Sequence, residues 1–298
     1  MKKVLAVLVS LLFVASTFGV TSIFGDDLDI EIKDFIIDYF VTETGQIYDY
    51  GVRSKDGTLT NAYDDYAFIL YIDGSEYGAS GDYTNEADGR EYVLDTQILS
   101  DLIVYRKVYF PEDRNWIRYL EILHNPTSSP ITVEVQIDTE YLGSGDYTRC
   151  VKTSSEDTVA DVNDYWVVTD DEFDGNTKSD PSLSHVWDGP GGADRIDYLS
   201  GLNDTEDYVN YYWYDVTVNP GQTVVLMHFG GFEMNSNNAI SLAEDLYNYK
   251  DDKMGYDLQE INQIINWSPS KLGKEGNKPT LPIAWIMKKF GLGKYKNN

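Results

Sequence analysis

Cysteine, histidine and proline are scarce: the 298-residue chain has one Cys, three His and nine Pro. A single thiol excludes a disulfide framework and any zinc site built mainly from cysteines. Basic residues are also few. The chain carries 23 Lys plus Arg against 50 Asp plus Glu, a formal net charge of -27, and that field disfavours nucleic acid as a partner. There is no Gly-x-Ser-x-Gly elbow, no phosphate loop and no His-Glu-x-x-His pair, so the motif-borne forms of acyl transfer, phosphoryl transfer and zinc proteolysis find no support. What is abundant is aromatic: 24 Tyr and 6 Trp within a 42% hydrophobic composition. That much apolar material builds a sizeable core and rules out a disordered acidic polymer.

The first residues read as an address. Lys2 and Lys3 precede an apolar run from Val4 to Val14, followed by the small residues Ala15, Ser16 and Thr17. This is the pattern of a secretory signal over residues 1–22, with an uncleaved anchor as the alternative. No later run is long and apolar enough to span a bilayer. The expected localisation is therefore secreted or cell-surface, with Cys150 a buried lone thiol. Charge is segregated along the chain. From Lys271 onward seven Lys and one Glu give a local balance of +6, and residues 23–270 carry 14 basic against 49 acidic groups. An acidic body of this kind stays soluble by self-repulsion and attracts cations or cationic surfaces.

Between Phe35 and about Gly230 the chain consists of short β-branched or alternating runs broken by Gly, Asp, Asn and Pro. Clear examples are Phe35–Val41, Tyr66–Ile72, Leu102–Phe110, Trp116–His124, Ile131–Ile137, Tyr165–Thr169, Val209–Val218 and Thr223–Phe229. In Ile131–Ile137 apolar and polar residues alternate strictly, the mark of a strand with one buried face. Asn125–Pro130 and Asn219–Gln222 are rich in turn formers and predict antiparallel hairpins. About a dozen strands without intervening helices define the fold class: mainly β, a large two-sheet antiparallel β-sandwich with short C-terminal helices. The β-sandwich domain is expected over residues 23–267. Its closing helices, over 238–267, are a first helix within Asn238–Tyr249 and a second over Leu258–Trp267, capped by Asp257 and Glu260. Residues 268–298 read as a linker and a basic helix and tail.

Several groups are candidates for function. Glu76–Thr84 and Glu140–Thr148 match at seven of nine positions, placing Tyr77 and Tyr141 in similar strand-exit loops. Tyr211, Tyr212, Trp213 and Tyr214 are consecutive in a strand, so two of the four rings point away from the core. Outward Tyr and Trp faces stack on sugars while neighbouring carboxylates accept hydroxyl protons. The ligand-binding set is accordingly Tyr77, Tyr141, Tyr212, Trp213 and Tyr214, with packing as the competing account. Asp170, Glu172 and Asp174, followed by Gly175, have the donor spacing of a calcium loop, with Asp180 near its end. The closing bidentate Glu is missing, and a solvated acidic turn is the plainer reading. His124, His185 and His228 are scattered and read as separate structural residues. No residue is assigned a catalytic role.

Arg106–Tyr109, Trp116–Thr127, Leu142–Ser144, Asp164–Asp171, Asp180–Val186 and Met227–Gly230 together resemble a group of uncharacterised modules in bacterial exported and cell-surface proteins. The strand and turn around Asn61–Asp65 are similar to the first strands of the supersandwich found in galactose mutarotases and in non-catalytic domains of some glycosidases. The resemblance implies the fold and assigns no activity, since the catalytic His and Glu of mutarotases find no match in the sequence. Within it, Arg118, Asp164 and Asp171 are expected to form a structural polar core through Arg–carboxylate pairing.

Three readings follow. The first is a non-enzymatic binding or assembly module, with calcium as its one candidate cofactor. Its partners would be a polysaccharide or cell-envelope component, a membrane surface, or a second copy reached through the basic tail. The second is a carbohydrate-binding protein. The third is a hydrolase or mutarotase-like enzyme using an acidic cleft, which so many carboxylates make easy to imitate by accident.

Overall fold

The computed structural model describes residues 28–272, apart from 33–34, 43, 55–58, 79–82, 141, 143–147, 171–180 and 203–207. The predicted signal and residues 273–298 lie outside these residues; within the expected linker, Pro269–Leu272 form one helical turn. The chain is mainly β and its strand pairings are antiparallel. Strands β1 (Leu28–Ile32), β2 (Phe35–Val41), β3 (Ile47–Ser54) and β4 (Leu59–Ala67) form a four-stranded meander. β5 (Ile69–Ile72) and β6 (Ser75–Glu76) pair as a hairpin. Next come β7 (Tyr83–Glu86), β8 (Glu91–Leu94), β9 (Gln97–Leu99), β10 (Leu102–Tyr109), β11 (Trp116–His124) and β12 (Ile131–Thr139). They are followed by β13 (Arg149–Thr153), β14 (Trp166–Asp170), β15 (Ser182–Val186), β16 (Tyr198–Gly201), β17 (Val209–Val218) and β18 (Thr223–Glu233).

Two sheets face each other. One runs β13-β14-β15-β18-β11-β10-β8-β7, with β9 also on β10; the other runs β16-β17-β12-β5-β6. Their inner faces share one core that includes Leu102, Val104 and Leu226 from the larger sheet and Val135, Ile137 and Trp213 from the smaller. The larger sheet is covered on its second face too. Ile103, Leu120, Ile122, Val225 and Phe229 pack there against Ala239, Ala243 and Leu246 of the helix Ser236–Tyr247 and against Trp267. This layering is written in the strands. β10 and β11 are buried at every position, whereas β12 alternates buried with partly exposed residues because only one of its faces is covered.

Four details depart from expectation. Asn125–Pro130 and Asn219–Gln222 do not close hairpins. β11 and β12 lie in different sheets, as do β17 and β18, so both turns are arches that carry the chain across the core. Asn125 ties the two arches together: its N–H donates to the Gln222 carbonyl (3.0 Å), its carbonyl accepts from Gly221 (2.9 Å), and its Nδ2 donates to Ser129 and Val218 carbonyls (2.8 and 2.7 Å). An arch is required because the apolar faces of these strands must oppose each other to fill one core. The expected strand Tyr66–Ile72 is split at Phe68, whose φ of +62° turns the chain and drives its ring between the sheets. Gly230 leaves room for that ring; a Cβ there would lie 2.3 Å from Phe68 Cζ.

The predicted second helix, Leu258–Trp267, is a series of turns. β15 ends its pairing opposite Phe229, leaving the backbone of Val225 and Met227 open on that side. Residues 263–267 fill the gap. Val225 N–H donates to Gln263 O (2.9 Å), Ile265 N–H donates to Val225 O (3.0 Å), and Asn266 and Trp267 bond Met227. Unpaired backbone in the middle of a sheet is more costly than a short helix is favourable. Asp257 and Glu260 consequently serve distant residues in place of a helix cap.

Within β17, Val209, Tyr211 and Trp213 point inward, then Tyr214 and Asp215 both point outward before Val216 and Val218 return to the core. The extra outward residue is a bulge opposite Glu134 of β12, with Asp215 at φ +55°.

Candidate functional site

The densest constellation of reactive groups lies between the two sheets. Arg106 on β10 holds Glu121 on β11 with two bonds, Nη2 to Oε1 at 2.7 Å and Nε to Oε2 at 3.1 Å. His228 Nε2 lies 2.9 Å from Glu121 Oε1, and its Nδ1 meets the Tyr211 hydroxyl at 2.9 Å. The His228 ring stacks on Tyr119. Burial pushes the Glu121 carboxyl up, but Arg106 and the His228 bond outweigh it and hold the group below the ordinary range. Burial pushes the His228 imidazole down despite Glu121. His185 stands nearby against Tyr63 and Phe68 with neither ring nitrogen hydrogen-bonded among the described residues. Burial, then His228, pushes it down to about 3. The sequence scatters the three histidines; the fold brings His185 and His228 to the same core, while His124 bonds Thr223 elsewhere. Arg106, Glu121, His185 and His228 are fully buried. Arg106, Glu121, His228 and Tyr211 form a hydrogen-bonded structural network, His185 lies beside it without hydrogen bonds among the described residues, and Phe68 packs against both imidazoles.

A second network crosses the other face of the larger sheet. Lys107 meets Glu86 at 2.6 Å and Glu260 at 2.7 Å. Arg118 donates to Glu91 Oε1 and to the Met254 carbonyl, at 2.7 and 2.6 Å. Among the described residues the carboxylate paired with Arg118 is Glu91 and not the expected Asp164. Asp164 is buried but ties its own loop, accepting from Ser154 Oγ and from the Ser155 and Asp161 N–H groups, each at 3.0 Å. Asp171 lies outside the described residues.

Of the calcium set, Glu172, Asp174 and Asp180 also lie outside the described residues. Asp170 is buried at the end of β14, its Oδ2 accepting from Ser182 Oγ at 2.6 Å. Among the described residues no three His, Cys, Asp or Glu side chains group as metal ligands. Cys150 is buried, and burial pushes its thiol up to about 12, far from a reactive thiolate.

The tyrosine candidates divide by face. Tyr77 is 1% exposed, with its hydroxyl donating to the Asp95 carbonyl, and Trp213 is fully buried, with Nε1 donating to Asp188 Oδ1 at 3.0 Å. Both are corrected from surface candidates to core residues. Tyr141 lies outside the described residues. Tyr212 and Tyr214 do point outward, as strand alternation requires. Register brings two rings that the sequence did not flag into line with Tyr212: Tyr198 pairs with it directly, and Tyr71 stands one strand beyond Gln136, which pairs with both Tyr71 and Tyr212. Tyr71, Gln136, Tyr212 and Tyr198 thus form one row across four strands on the outer face of the five-stranded sheet. Tyr198 and Tyr212 meet edge to face at 5.1 Å, and Tyr214 flanks them at 6.0 Å. Tyr198 is 44% and Tyr214 38% exposed, while Tyr71 and Tyr212 are half-buried. Tyr198 sits in a four-residue strand, too short for its periodicity to be read.

No family model and no curated protein matches this chain. Similar solved structures include a polysaccharide lyase (TM-score 0.46, 13% identity, 72% of this chain and 35% of that one). They also include a galactose mutarotase-like protein from Lactobacillus casei ATCC 334 (TM-score 0.43, 8% identity, 70% of this chain and 100% of that one). A Klebsiella pneumoniae protein classed as an aldose 1-epimerase is similar as well (TM-score 0.40, 12% identity, 82% of this chain and 93% of that one). This chain spans about a third of the lyase. These likenesses concern the arrangement of strands alone, since one fold hosts many unrelated functions.

Proposed function

We propose that the protein is an exported, non-catalytic β-sandwich module that binds glycan through the outer face of its five-stranded sheet. The observation that carries this reading is the register-aligned row of Tyr71, Gln136, Tyr212 and Tyr198 with Tyr214 beside it. Tyrosine rings offer apolar faces for sugar C–H groups and phenol hydroxyls for the rim, with little entropy to lose on binding. Gln136 and Asp138 supply a hydrogen-bonding pair within the same face, Nε2 lying 2.7 Å from both carboxylate oxygens. Against catalysis stands the full burial of Arg106, Glu121 and His228 among the described residues, with Phe68 packed over the His228 ring.

Affinity electrophoresis against a panel of soluble polysaccharides tests the proposal. At least one polysaccharide is expected to retard the protein. Tyr212→Ala and Tyr214→Ala should each weaken that retention by about two- to twelvefold, the scale of a lost aromatic contact of roughly 0.5–1.5 kcal/mol. Retention that survives both substitutions, or no retention by any polymer, overturns the reading.

A further inference from the structure

The charge of the tyrosine face narrows its ligand. The five strands that build it, β5, β6, β12, β16 and β17, contain Glu76, Glu134, Asp138 and Asp215 and not one Lys or Arg. Glu76 pairs directly with Tyr71, at the end of the row. Asp197, one residue before Tyr198, accepts from the Tyr214 N–H at 2.8 Å. Burial is the main reason the Tyr71, Tyr212 and Tyr214 phenols resist ionisation, and the carboxylates that add to it are Glu76, Asp138 and Glu140 around Tyr71, Asp138 and Glu134 around Tyr212, and Glu134 and Asp197 around Tyr214. Arg195, the nearest basic residue in sequence, is turned away onto the Tyr165 ring and the Asn163 carbonyl.

Resting on the glycan-binding reading, we infer that this face selects glycans bearing free amino groups over neutral or anionic ones. A protonated amino sugar gains twice here. Its ammonium makes charge-assisted bonds to carboxylates, and over a tyrosine face it gains cation–π attraction of about 0.5–1 kcal/mol at an exposed site. Uronate or sulfate groups would meet like charge along the described strands of this face. Tyr71 and Tyr212 stand two strands apart, about 10 Å at ordinary strand spacing, so successive ammonium groups along an extended chain meet rings and acids in turn.

The test is isothermal titration of the full-length protein with a β-1,4-linked glucosamine hexamer and with its fully N-acetylated form, at a pH that protonates the amines. The free-amine form is expected to bind about tenfold tighter at low salt, and the gap should shrink as salt rises. Glu134→Gln combined with Asp138→Asn should bring the two affinities together, while Tyr212→Ala should weaken both. Equal binding of the two hexamers, or tighter binding of a sulfated polysaccharide, overturns the charge selectivity and leaves glycan binding standing. Binding of neither, together with no polysaccharide retention, removes both proposals. A synthetic peptide of residues 271–298 that binds this face where the hexamers do not also overturns the inference, and makes the occupant the basic tail.

Discussion

His185 is the one imidazole in the interior whose two nitrogens have no hydrogen-bond partner among the described residues. Burying such a group without compensation is unfavourable by about 1–3 kcal/mol. His185→Phe, set against the rings of Phe68 and Tyr63, is therefore expected to raise stability by about that amount at neutral pH. The pH dependence carries a sign. The folded value is pushed down to about 3, so between about 6.5 and 3 the unfolded chain takes up a proton that the native state refuses. Stability from this group is complete above about pH 6.5 and falls below it by roughly 1.4 kcal/mol per unit. Asp188 acts in the opposite sense: burial pushes it up to about 7, so its contribution falls as pH rises from about 4 towards 7. The parent's profile mixes the two. The difference between parent and His185→Phe isolates the imidazole and should widen as pH falls below about 6.5. Urea unfolding at a series of pH values measures it; a less stable variant with an unchanged acid limb would refute the account.

Strand β17 shows how one residue aims the others. Its inward set changes phase between Trp213 and Val216, and the bulge at Asp215 absorbs the change. Deleting Asp215 restores plain alternation, with Tyr214 opposite Glu134 and Val216 and Val218 still inward. That deletion is expected to keep cooperative thermal unfolding while shifting Tyr214. Deleting Tyr212 instead leaves Tyr211 and Trp213 adjacent, so both cannot face the core, and the cooperative transition should be lost. Comparable melting of the two deletions would mean that the bulge does not set the phase. The segment 263–267 shows the same priority. Its apolar spacing suits a helix, yet the open backbone of Val225 and Met227 commits it to pairing.

Three layers hold the molecule together: the five-stranded sheet, the larger sheet, and a cover built from the helix Ser236–Tyr247, the turns that follow it and the short helix Pro269–Leu272. The cover is apolar beneath and ionic at its margin, where Lys107 meets Glu260 and Arg118 meets the Met254 and Tyr256 carbonyls. A chain ending at residue 234 would bare the second face of the larger sheet and leave buried cations short of partners. It is expected to be insoluble, whereas a chain ending at Leu272, lacking only the basic tail, should unfold cooperatively as the full chain does. A soluble, cooperatively unfolding 1–234 chain would show that the cover is dispensable.

Much of this was legible in one dimension. Period-two alternation placed β12 with one wet face, and consecutive aromatics in β17 guaranteed that Tyr212 and Tyr214 share the face opposite Tyr211 and Trp213. These are local facts, fixed by the direction in which successive side chains leave a strand. The burial of β10 and β11 on both faces, with Arg106, Lys107, Arg118 and Glu121 among their residues, was decided by the layers packed against them. Sheet membership is not local. Whether Asn125–Pro130 closes a hairpin or an arch, whether His228 meets Glu121, and whether Tyr71 and Tyr198 fall into line with Tyr212 all depend on pairings between segments far apart in sequence. Register and layer order settle those contacts, because a side chain's neighbours across a sheet are chosen by which strands lie beside it and not by its own sequence.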